Sequence, residues 1–193
     1  MGRKYELKKR AERQEETRRR IVEAAVELHG TIGPARTTVS AVAERAGVQR
    51  HTYYRHFPDE RSLGLACSGL YMETNPMPDP EPWREIDDLE QRLRHGLGEL
   101  YAYYERNEPM LSNVIRDAEL DPVFAEIGRM RIGPPLGAIR AVLANGRRSK
   151  RLLALLDVAL AFSTWRTLVR DSGLSHKEAV ETMVAAIRCV RSV

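Results

Sequence analysis

Gly47 splits the stretch from Thr38 to Phe57, TVSAVAERAGVQRHTYYRHF, into two short helices with a sharp turn between them. Val39, Val42, Ala43 and Ala46 fall at i, i+3, i+4 and i+7, so the first helix has one buried face. Thr38 stands where an N-cap hydroxyl belongs, and Gly47 supplies the positive φ that commonly ends a helix. The second helix, beginning after Gln49, offers Arg50, His51, Thr52, Tyr54, Arg55 and His56, which are groups that bind phosphates and read base edges. Two such helices around a tight turn form a helix-turn-helix, whose second helix enters the major groove of DNA.

Charge supports that placement. Residues 1–61 carry 14 Lys+Arg against 9 Asp+Glu, whereas the rest of the chain is close to neutral. A basic excess of this kind attracts phosphates without regard to sequence. Arg3, Lys4, Lys8, Lys9 and Arg10 are expected on a flexible arm, and Arg18, Arg19 and Arg20 at the start of the first helix, where cations oppose the helix dipole unless they serve DNA. A length of 193 residues suffices for a core without metal or disulfide support. Cys67 and Cys189 are far apart, which fits a reducing cytoplasm. No apolar run reaches the roughly 18 to 20 residues that span a bilayer, so no membrane partner is expected.

Enzyme and metal chemistry find no support. None of His29, His51, His56, His95 and His176 stands three or four positions from another, so no helical face presents a histidine pair to a metal. Gly96-Leu97-Gly98 lies within a helical pattern, with Tyr101 where a third glycine would be needed. No catalytic residue, metal or cofactor is expected.

The remaining pattern is all-α. A first helix is predicted over residues 15–29, the helix-turn-helix follows, and another helix spans about 60–73. Residues 75–82 hold four prolines and form a loop. Helices are predicted over 83–106, over a short segment holding Leu111, Val114 and Ile115, and from Asp121-Pro122 to Ala144 with a break or kink at Gly133-Pro134-Pro135. The last two run over 150–170 and 175–191. Leucines and small apolar residues cover more of these last helices than burial within one subunit requires, which implies a second buried face.

The segment TTVSAVAERAGVQRHTYYRHFPDERSL resembles the DNA-binding domain of TetR-family transcriptional regulators over about residues 17–63. The resemblance implies a three-helix DNA-binding domain at 15–60, preceded by the arm at 1–14 and followed by a larger effector-binding and dimerisation domain at 61–193. By position it implies that Thr38, Gln49, Arg50, His51, Thr52, Tyr53, Tyr54, His56 and Arg61 face DNA. Gln49 stands where the family often has serine, and packing on the first helix is the stronger expectation for Tyr53. Glu60 stands where a phosphate-binding lysine is common, which shifts that expectation to Arg61.

The same resemblance implies a homodimer, with Leu155, Ala159, Phe162, Met183 and Ile187 at the interface. It also implies a cavity for a small, mostly apolar effector among Tyr71, Trp83, Leu97, Tyr101, Tyr104, Met110, Asn113, Phe124, Phe162 and Trp165. The expected function is a repressor released from a palindromic double-stranded operator by that effector. The competing expectation is a helical adaptor or ligand-binding protein that does not bind DNA.

Overall fold

A computed structural model of the protein describes residues 2–191, with side chains for residues 5–189, and contains helices and turns with no strand among the described residues. The chain forms two compact units, one from Met1–Asn75 with Pro109–Arg131 and one from Pro76–Glu108 with Ile132–Val193.

In the first unit, α1 (Gly2–Thr31) is longer than predicted. Residues 5–16 are exposed, so no apolar stripe announces them, but Lys, Glu, Arg, Gln, Ala and Leu are good helix formers and no glycine or proline interrupts. The expected flexible arm is therefore helical from Gly2 on, and Arg18, Arg19 and Arg20 lie mid-helix rather than at a helix start; the side chains of Arg3 and Lys4 lie outside the described residues. Arg19 pairs with Glu16 and Glu23, and both Ile21 and Ala25 are fully buried. They join Val42, Ala46, Tyr53, Phe57, Leu63 and Cys67 in one core, built by α1 with α2 (Val39–Arg45), α3 (Arg50–His56) and α4 (Glu60–Thr74).

The remainder of this unit comes from far along the chain, from the end of α5 (Leu89–Ala118) and the start of α6 (Pro122–Ala144). Asn113 donates to the carbonyls of His29 and Gly30 at 3.1 and 3.0 Å, satisfying the open end of α1. Asp117, 2% exposed, accepts the backbone N–H of Ala35 at 2.9 Å and a bond from Arg116 at 2.7 Å. Burial pushes its carboxyl pKa up, but the Arg116 guanidinium and the Ala35 N–H together bring it below the ordinary aspartate value. Gly64 admits the start of α6 closely: a Cβ there would meet Ile127 at 2.7 Å. Arg131 donates to Ser68 and to the Leu65 carbonyl.

The second unit is built around Trp83 and the first part of α5. A Cβ on Gly96 would strike Trp83 at 2.8 Å and Leu143 at 2.9 Å, so the glycine marks a close approach of side chains. Buried Arg92 donates to the carbonyls of Ile86 and Val142. The helix predicted over 150–170 is broken. α7 (Lys150–Leu160) ends at extended Ala161, and α8 (Phe162–Arg166) continues as a wider turn to Asp171, with a bend of 61°. The carbonyls freed by this break are taken by two phenols from α5: Tyr101 donates to Ala159 at 3.0 Å and Tyr104 to Leu160 at 2.5 Å. α9 (His176–Arg191) completes the unit.

The expected interruptions at proline are absent. α5 runs through Pro109, and α6 runs through Pro134 and Pro135. Pro109 and Pro134 sit on exposed turns, where water replaces the lost donor, and the apolar faces packed on either side keep the helix going. No single helix among the described residues is long and apolar enough to cross a membrane.

Candidate nucleic-acid interface

The N-terminus of α2 is set by Thr38, whose hydroxyl accepts the N–H of Ala41 at 3.1 Å. Its C-terminus closes with the paired bonds Val48 N–H to Ala43 and Gly47 N–H to Glu44, with Gly47 at φ 63°. This pair of bonds requires a left-handed residue immediately after the C-cap Ala46, a conformation that glycine adopts at no steric cost. Gln49 opens α3 from extended backbone without a side-chain cap, as the lack of a short hydroxyl there predicts.

Along α3, Tyr53 turns inward and is 3% exposed, packed on Phe57 and edge-on to Tyr54. Burial pushes its phenol pKa up to about 12, so it serves as a core residue, in line with the stronger of the two expectations. A helix turns about 100° per residue, so fixing Tyr53 inward presents the other face to solvent. Gln49, Arg50, His51, Tyr54 and Arg55 are exposed, and Thr52 and His56 are half-buried at the edges.

Arg50 and Arg55 enter no ion pair among the described residues, so their charge is available to a polyanion. Arg55 shares this outward face although the position-by-position comparison singled out only its neighbours. Arg20, from α1, reaches within 3.8 Å of the Cβ position at the Gly47 turn and widens the basic rim. Arg61 differs from both, since its guanidinium bonds Glu126 at 2.8 Å and DNA would have to compete for it. His56 has a buried Nε2 with no hydrogen-bond partner. Burial first, then Arg55 and Arg18, lower its pKa, so the ring is neutral at pH 7. Arg18 itself lies 5.0 Å over the Phe57 ring and braces the end of α3.

The residues expected to line an effector cavity occupy several places. In the second unit the rings of Tyr104, Phe162 and Trp165 lie within 5.3–6.1 Å of one another in edge-on and tilted arrangements, with Tyr101 stacked beside Tyr104. Leu97 is fully buried, and Trp83 packs against Gly96 and His95. In the first unit Tyr71 is half-buried, Met110 approaches Gly30, Asn113 is committed to the end of α1, and Phe124 meets the His29 ring edge-on at 6.1 Å. Of the residues expected between subunits, Ala159 and Ile187 are buried within this single chain, and Leu155, Phe162 and Met183 are half-buried. Val158, 48% exposed, lies on the open face of α7.

No curated protein matches the chain in sequence. Residues 21–67 match the model of bacterial regulatory proteins of the tetR family. Among solved structures, a tetR-family transcriptional regulator from Streptomyces coelicolor is similar at 19% identity and a TM-score of 0.64, over 91% of this chain and 82% of that one. A transcriptional regulator from Aquifex aeolicus is similar at 19% identity and a TM-score of 0.56, over 90% and 99% of the two chains. HlyIIR, a hemolysin II transcriptional regulator, is similar at 15% identity and a TM-score of 0.64, over 90% and 97%. The capped turn, the outward basic face of α3 and the match over the segment that builds them converge on a DNA-binding helix-turn-helix domain at residues 21–67 that matches the tetR family of bacterial regulatory proteins.

Proposed function

We propose that the protein is a homodimeric repressor that holds a palindromic operator and is released from it by a small, largely apolar effector. The observation that carries the reading is α3, whose one inward aromatic leaves Arg50, His51, Tyr54 and Arg55 turned to solvent together. Arg50 and His51, near the helix start, are the base-reading groups; Thr38, Tyr54 and the rim arginines hold phosphates. One such helix covers few base pairs, whereas two about 34 Å apart read a palindrome and combine their affinities.

Dimerisation through α7 and α9 draws support from the exposed Val158, which shares a face of α7 with half-buried Leu155 three positions before it, an apolar surface that a second copy would cover. Effector binding draws support from the aromatic group around Tyr104, Phe162 and Trp165, where the Trp165 indole N–H is buried without an acceptor. An effector that prefers the arrangement with the wrong half-site spacing lowers operator affinity by its differential binding, and a coupling of about 1–3 kcal/mol weakens the complex roughly 5- to 150-fold.

The test is duplex binding by gel shift at two salt concentrations. A saturable complex with a steep salt dependence is expected, with Tyr54→Phe weakening all duplexes alike and Arg50→Ala relaxing preference at particular base pairs. Absence of saturable binding at physiological salt would leave the helical adaptor in its place. An effector that binds yet leaves operator affinity unchanged would remove induction.

A further inference from the structure

A cleft of about 250 Å³ opens within the first unit, on the side of α3 that faces the core. Its floor is apolar, formed by Val42, Tyr53, Phe57 and Leu63, and Phe124 closes one wall. Two features set its chemistry. His29, 7% exposed, lines the cleft and touches Phe124, yet its imidazole enters no hydrogen bond among the described residues. Burial lowers its pKa to about 4, against a smaller opposing pull from Asp117, so at neutral pH it keeps a free acceptor nitrogen. At the mouth stand Asp59 and Glu60. Asp59 caps α4 through the Ser62 N–H, whereas Glu60 has no cationic partner: partial burial and Asp121 both raise its pKa. An otherwise basic unit thus holds a small cavity with an aromatic floor, an unused acceptor and an acidic mouth.

We propose that this cleft is a binding site for a small organic amine, a molecule with one compact apolar or aromatic body and one ammonium group. The body covers Tyr53, Phe57 and Leu63, and the ammonium meets the Glu60 carboxylate. The volume suits a molecule of about ten non-hydrogen atoms, below the drug-sized range. An anion of the same shape is repelled at the mouth, and a neutral alcohol loses the charge pairing. The site is separate from the aromatic group of the second unit and does not depend on the effector reading given above. Tyr53 and Tyr54 of α3 line the cleft, so its occupant touches the helix that carries the DNA-facing side chains.

The experiment uses the full-length protein with three probes of one shape: 2-phenylethylamine, 2-phenylethanol and phenylacetate. Two-dimensional NMR titration at pH 7 and low salt is expected to show saturable binding of the amine, with shifts centred on His29, Tyr53 and Phe124. The alcohol binds several-fold more weakly and phenylacetate not at all. Glu60→Gln reduces amine affinity about two- to five-fold, the range of an exposed ion pair, and leaves the alcohol unchanged. Val39→Phe, which fills the cleft from its rim, abolishes both; should that variant not fold, the Glu60→Gln comparison decides alone. Equal affinity for amine and alcohol, shifts centred elsewhere, an unaffected Glu60→Gln variant, or no binding up to the solubility of the amine would each overturn the proposal.

Discussion

Two of the turns between consecutive helices, at Gly47 and at Ala161, are held by different means. The first is local: Gly47 takes φ 63°, and the two bonds that close α2 come from its own last turn. The second is tertiary: Ala161 has ordinary extended backbone, and the carbonyls of Ala159 and Leu160 are satisfied by Tyr101 and Tyr104, more than fifty residues away. The two units also differ in how their ties respond to protons. The first buries His29, kept neutral by its surroundings, and is tied through Asp117, kept ionised by Arg116 and the Ala35 N–H. The second leans on phenols whose pKa burial drives upward, so they remain donors through the acid and neutral range. The bonds of the first bend are specified within a few residues of it, whereas those of the second depend on donors from a distant helix.

The sharpest way to break the contrast is to remove both phenol hydroxyls. Tyr101→Phe with Tyr104→Phe strands two buried carbonyls, and each should cost about 1–3 kcal/mol in denaturant unfolding. A double variant as stable as the parent would mean that the bend does not need its clasp. Acid is the next largest lever. The native His29 pKa is lowered to about 4 from an ordinary 6.5, so its contribution is fully present above 6.5 and is lost as pH falls toward 4, roughly 3 kcal/mol at most. Below the ordinary aspartate range Asp117 adds to the loss, because its native pKa is depressed. Amide protection of the first unit, measured relative to the intrinsic exchange rate at each pH, should therefore fall across this range, and His29→Gln should flatten the upper limb. Exchange near Ala161 should be much less affected. Gly47→Ala should cost about 1–2 kcal/mol through its positive φ. Gly47→Asn, which tolerates that conformation, should cost less than 1 kcal/mol and keep duplex binding.

These bends also mark what the amino-acid order makes legible. Thr38, the i, i+3, i+4, i+7 spacing and Gly47 act within a few residues of themselves, so the turn and the outward face of α3 could be read directly. Packing of Tyr53 on the first helix is the stronger expectation from the sequence, and its burial orients the whole of α3. The break at Ala161 carries no glycine or proline, and its cause lies on α5. Pro109, Pro134 and Pro135 mislead in the opposite sense, because packing on either side outweighs the one bond each removes. The resemblance puts Arg61 at a DNA phosphate, yet its guanidinium bonds Glu126, 65 positions away and beyond any local pattern. The N-terminal half of α1 is helical by propensity alone, with no apolar stripe to reveal it.

The first unit is discontinuous: the clamp on the end of α1 and the brace beneath Ala35 are supplied by Asn113 and Asp117. During translation α2 and α3 therefore leave the ribosome well before the residues that finish their unit. At about 5–20 residues per second, the interval from residue 75 to residue 131 lasts several seconds. Through that interval the nascent chain carries Arg50 and Arg55 on a scaffold that still lacks the Asn113 and Asp117 bonds.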